Sequence, residues 1–114
     1  MKPKLREAFS NEMNRASSCR ATGDLDGAFR HLERAHVLGQ AFVVPHTQSH
    51  LGMLRVGIAR RDLQEILGQS FRVVAGIVGS ALGTIPTGNT GGANVSAFER
   101  MEIPPDLRSF LDED

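Results

Sequence analysis

One run of residues decides what kind of fold this chain can adopt. Leu25, Ala28, Phe29, Leu32, Ala35 and His36 follow one another at i, i+3, i+4, i+7, i+10 and i+11. That spacing puts all of them on one face of an α-helix, whereas a strand would scatter them over both of its faces. Asp24 stands where an N-cap belongs, and Gly39 is the expected stop.

The same period recurs on both sides. Leu5, Ala8, Phe9, Met13, Ala16 and Cys19 make one face of an earlier helix that ends at Gly23. A third helix is expected to begin at Pro45, a residue suited to a first turn, and to run to Arg60 with Leu51, Leu54 and Ile58 in the core. Asp62-Leu63-Gln64-Glu65 reads as a capping box opening a fourth helix. That helix is expected to bury Leu63, Ile66, Leu67, Val73, Val74, Ile77 and Val78. Past Gly83 the period stops. The stretch from Thr84 to Ser96 is turn-forming, Ile103-Pro104-Pro105 is extended, and Asp106 to Phe110 can form a last helical turn.

The sequence therefore predicts an all-α protein of two antiparallel helical hairpins. It is read as one domain: a four-helix bundle over residues 1–83 and a Gly/Pro-rich tail over 84–114. The apolar residues of the tail (Ile85, Val95, Phe98, Met101, Ile103, Leu107, Phe110) predict that it wraps the bundle. Gly23-Asp24 followed by Ala28 and Ala35 resembles the second half of a tetratricopeptide unit, in which small residues allow close helix approach. The likeness covers one unit, with a degenerate second at Gly57 and Arg61-Asp62.

Composition limits the function. The 114 residues contain six Phe and neither Tyr nor Trp, so no aromatic and basic surface for stacking bases can be assembled. Ten Lys/Arg against five Asp/Glu in residues 1–61 give way to three against eight in 62–114. The arginines are spread over several helix faces, so nucleic acid is not an expected partner. An acidic tail docked on basic helices, or two solvated faces, explains the asymmetry better than a basic face for an anionic partner. One cysteine excludes an internal disulfide and a Cys-based zinc site. The N-terminus turns charged and amphipathic at once, and the longest apolar stretch, Val73 to Leu82, is glycine-broken. The expectation is a cytoplasmic protein without a membrane partner.

All four histidines (His31, His36, His46, His50) lie within twenty residues, on either side of one short connection. His36 falls about one turn before the end of the second helix and His46 near the start of the third. An antiparallel pair puts those levels side by side. Glu33 and His36 are an i, i+3 pair, and His46 and His50 an i, i+4 pair, each projecting from one side of its helix. The predicted ligand set is Glu33, His36, His46 and His50, holding Zn²⁺ or Fe²⁺. A di-iron centre needs a second Glu-x-x-His and two more Glu, which the chain lacks. Thr47-Gln48-Ser49 between the histidines provides no general base, so the metalloprotease pattern is absent as well. The same residues also read as a buried polar network in an interaction module that binds a protein partner or a second copy. His31 leaves the stripe and is expected at the surface.

Gly88-Asn89-Thr90-Gly91-Gly92-Ala93-Asn94 matches no nucleotide fingerprint. It is expected to form tight turns, and folding over the histidine end would make Asn89 or Thr90 supporting partners.

Three segments in order, His31-Leu32-Glu33-Arg34-Ala35-His36, His46-Thr47-Gln48-Ser49-His50 and Gly88-Asn89-Thr90-Gly91-Gly92, resemble a family of short bacterial proteins classed only as a domain of unknown function. The resemblance runs from about Ala28 to Leu107. It implies a small bacterial protein and brings no activity with it.

Overall fold

A computed structural model describes residues 1–82, 91–93 and 100–111. Among them are five helices: α1 (Pro3–Ala21), α2 (Leu25–Gly39), α3 (Val43–Arg60), α4 (Leu63–Leu82) and α5 (Pro105–Leu111). The protein is an all-α bundle. No helix among the described residues is long and apolar enough to cross a membrane.

The helix ends follow local chemistry. Gly23 takes a φ of 84°, and its neighbours close α1 with bonds from Asp24 N–H to the Cys19 carbonyl at 2.8 Å and from Gly23 N–H to Arg20 at 3.2 Å. Asp24 then caps α2 by accepting the Gly27 N–H at 2.9 Å. Asp62 caps α4 in the same way, accepting the Glu65 N–H at 3.1 Å. The Glu65 side chain does not complete the predicted box, because it is turned inward. Two ends depart from expectation. Helix α3 begins at Val43, with Pro45 still in its first turn. Gly39 is the last residue of α2 and not a left-handed stop. It is small because a Cβ there would sit 2.8 Å from Pro45 Cβ and 3.0 Å from the Phe9 ring. The left-handed stop lies instead at Arg61, with φ 56°, where the chain turns from α3 into α4.

Packing is sequential. Helix α1 lies on α2, α2 on α3 and α3 on α4, while α5 touches α1 and α2. Short connections make each neighbouring pair antiparallel. One core joins Leu5, Ala8, Phe9, Ala35, Val37, Leu38 and Leu107. Leu107 is 2% exposed, so α5 is docked by a buried anchor, with Ile103 and Phe110 beside it. Ile85, Val95 and Phe98 lie outside the described residues. A second core joins Ala16, Ala28, Leu32, Met53 and Val56 between α1, α2 and α3. Each fully buried Leu or Val contributes about 2 kcal/mol relative to an exposed one.

Four of the seven residues expected in the core of α4 are corrected; Ile66 and Val73 are half-buried, and the side chain of Ile77 lies outside the described residues. Leu63, Leu67, Val74 and Val78 are 56–70% exposed. So are Ile58 of α3 at 57% and, less so, Leu51 at 38%. Helix α4 packs through the opposite face, which carries Glu65, Gln69 and Gly76. Among the described helices α4 packs on α3 alone, and the side it turns inward carries these polar and small residues.

Candidate metal centre

Helices α2 and α3 bring three imidazoles to one point. His36 lies three residues before the end of α2 and His46 three residues after the start of α3, so the short turn between them sets both at one level. His50 follows one helical turn later. The Nε2 atoms of His36 and His46 are 3.0 Å apart, those of His46 and His50 3.0 Å, and those of His36 and His50 3.1 Å. The ring centroids are farther apart, at 4.6–4.8 Å, so the rings converge at their Nε2 ends. Their planes meet at 61–73°, which makes a three-bladed propeller. All three histidines are 2% exposed.

The outer side of His50 settles its tautomer. Gln69 is completely buried, and its Oε1 lies 2.6 Å from His50 Nδ1. The amide nitrogen of Gln69 donates to Glu65 Oε1 at 2.7 Å and to the Gly91 carbonyl at 2.8 Å. Those two partners only accept, so the amide nitrogen must face them and Oε1 must face His50. His50 therefore donates from Nδ1, and its Nε2 presents a lone pair to the other two histidines. A ring N–H held by a neighbour is what fixes a ligating histidine in place. Glu65 is anchored in turn by the Ala93 N–H at 3.2 Å. Arg72 donates to the Gly91 carbonyl at 2.9 Å and to that of Gly92.

Burial favours the neutral form of His46 and His50. Desolvation lowers His46, and it lowers His50 to about 4 against the opposing pull of its bond to Gln69. Neutral imidazole is the form that binds metals.

Two glycines make room. A Cβ on Gly76 of α4 would meet His46 Cε1 at 2.9 Å. A Cβ on Gly91 would overlap the His36 ring, and Gly91 has a φ of 82° that suits glycine alone. Of the glycine-rich segment, Gly91 lies against the histidine cluster. Asn89 and Thr90, the expected supporting residues, lie outside the described residues.

Of the four predicted ligands, the structure brings His36, His46 and His50 together and leaves Glu33 out. The ligand atoms of the three histidines lie within 4.8 Å of one another, and Glu33 is not in that group. The reason is rotational. Residues i and i+4 share a helix face more closely than i and i+3. Leu32 is therefore the residue that faces α3 beside His36, packed against Gly52, where a Cβ would meet it. Sequence reasoning also missed Gln69, Glu65, Gly76 and Arg72. The one signal available was the polar pair Glu65 and Gln69, four residues apart and so on one face of a largely apolar helix.

His31 also has a partner. Its Nδ1 lies 2.7 Å from Glu12 Oε2, and Arg34 Nε donates to Glu12 Oε1 at 2.9 Å and onward to Asp106. It is half-buried between α1 and α2, not at the open surface.

Comparison with known proteins adds the family. Residues 3–111 match the family described as "Protein of unknown function (DUF3703)". The chain belongs to that family. No curated protein and no solved structure matches it.

Proposed function

We propose that this member of the DUF3703 family binds one transition-metal ion through His36, His46 and His50. The observation that carries the reading is the convergence of three buried Nε2 atoms, 3.0–3.1 Å apart, on a common centre. A proton on one of them can serve one neighbour at a time, whereas a cation serves all three. Zinc with three nitrogen ligands at its usual distance spaces them about 3.3 Å apart, so the propeller is within a few tenths of an ångström of that arrangement.

The ligand set favours Zn²⁺ over Fe²⁺. Imidazole suits both, but non-haem iron sites of this size pair two histidines with a carboxylate, and Glu33 does not join the group. Three protein ligands leave one tetrahedral position for water or a further group. Deep burial suits holding an ion better than turning over a substrate.

Metal uptake by untagged protein tests the reading. One Zn²⁺ per chain is expected by elemental analysis after dialysis. His46→Ala and His50→Ala should each weaken affinity by 100-fold or more in competition with a chromophoric chelator. Gln69→Leu, which removes the acceptor from His50 Nδ1, should weaken it by about 10–100-fold. Absence of uptake by the parent protein, or equal uptake by the histidine variants, overturns the proposal.

A further inference from the structure

The outer face of α4 carries Leu63, Leu67, Phe71, Val74, Val78 and Leu82, all 56–71% exposed. They form one continuous stripe down the 20-residue helix. At that exposure they put on the order of 600 Å² of surface into water, at the top of the range for a monomer's largest patch. Each partner of a standard protein interface contributes ~800 Å², so the stripe supplies most of one.

We infer that this face binds the same face of a second copy, with the two α4 helices antiparallel about a two-fold axis between Phe71 and Val74. Three observations select this occupant. The first is the spacing of the stripe, 4, 4, 3, 4 and 4 residues, which reads the same in both directions. An antiparallel pair therefore sets Leu63 against Leu82, Leu67 against Val78 and Phe71 against Val74 of the other copy, satisfying all six at once. A two-fold interface demands this kind of self-complementarity. The second is charge. The charged residues of α4, Glu65 and Arg72, are engaged on its inner side. The outer face has none, so it meets itself without repulsion and offers a charged partner nothing. The third concerns lipid. A helix that lies on a bilayer flanks its apolar face with Lys and Arg, and α4 has no lysine and one arginine, bonded to Gly91 and Gly92.

The dimer uses the side of α4 that faces away from the histidines, so it does not depend on the metal reading. Light scattering with size exclusion, and sedimentation velocity from about 1 to 200 μM, test it on the full chain with and without chelator. A dimer is expected in both. Val74→Asp and Phe71→Glu should each raise its dissociation constant by at least 100-fold while leaving helical content and zinc uptake unchanged. Pairing is tested in a Cys19→Ser background by mixing a Leu67→Cys copy with a Val78→Cys copy. A disulfide should form in the mixture and in neither copy alone. A monomer throughout the concentration range overturns the proposal, as does a cross-link within the Leu67→Cys copy alone, which would mark parallel docking. Binding of a monomer to phosphatidylcholine vesicles also overturns it, assigning the stripe to lipid.

Discussion

Helix α2 carries two polar clusters on different sides, and they differ in kind. Toward α1 and α5, Glu12 receives His31 and Arg34, and Arg34 reaches on to Asp106. Acid meets base there, and both oxygens of a 5% exposed carboxylate are used. Toward α3, His36 meets His46 and His50, which are three bases of one kind aimed at one point. The first cluster pairs donors and acceptors that the chain itself supplies. Under the proposed function, a cation would bind the second. A fold can use the first arrangement as a joint between helices, whereas the second presents three nitrogens to one point, the geometry on which the metal proposal rests.

Metal should therefore stabilise one cluster and leave the other untouched. Free Zn²⁺ at a hundredfold excess over its dissociation constant is expected to add about 2.7 kcal/mol, roughly 10 °C in Tm for a chain of this size. Chelator should remove the gain, and a His36→Ala/His46→Ala/His50→Ala variant should never show it. Glu12→Ala should show all of it, since distant independent sites add. Thermal unfolding of the four samples checks the set. An equal gain in the triple variant would place the zinc elsewhere.

Breaking the charge-paired cluster should act without metal. Glu12→Ala leaves His31 and Arg34 facing each other with their carboxylate gone. A fully buried pair broken in this way loses several kcal/mol, but these side chains are 29% and 32% exposed and regain some water. The expected cost is about 2 kcal/mol, equal with and without chelator. Urea unfolding measures it. A cost that appears only in the zinc-bound protein would show that the two clusters are coupled through α2.

The difference between the clusters also marks what the sequence made legible. Helix order, the caps at Asp24 and Asp62 and the stop at Gly23 follow from local chemistry and were readable. Convergence of His36, His46 and His50 followed from the length of one connection. Glu33 was misplaced because i, i+3 and i, i+4 neighbours look alike until the facing helix, through Gly52, selects Leu32. Glu12 sits on the buried stripe of α1 between Ala8 and Ala16, where its partners on α2 depend on the register of the two helices. The α4 stripe was misread for a different reason. Periodicity reports that a helix has an apolar face, but what covers it depends on the number and order of the other helices. The particular partners of Gln69 and Gly91 could not be assigned, since their roles arise from contacts over 19 and 55 residues of chain with His50 and His36.

The outermost link of the charge-paired cluster should matter least, and pH separates it from the rest. Arg34 holds the Asp106 carboxyl below its usual value, chiefly through their hydrogen bond. A carboxyl depressed by folding contributes stability above its unfolded pKa, and that contribution is lost as pH falls through the folded value. Asp106 is 61% exposed, so the pair belongs with surface ion pairs worth less than about 1 kcal/mol. Asp106→Asn should cost that little at pH 7, and raised salt should shrink the cost further. Parent and variant should converge in stability below the ordinary carboxylate range. Docking of α5 should survive the substitution, because Leu107 in the core is its main anchor. A large loss of α5 protection in hydrogen exchange at pH 7 would instead make the Arg34 link, and through it Glu12, the element that holds the C-terminal helix in place.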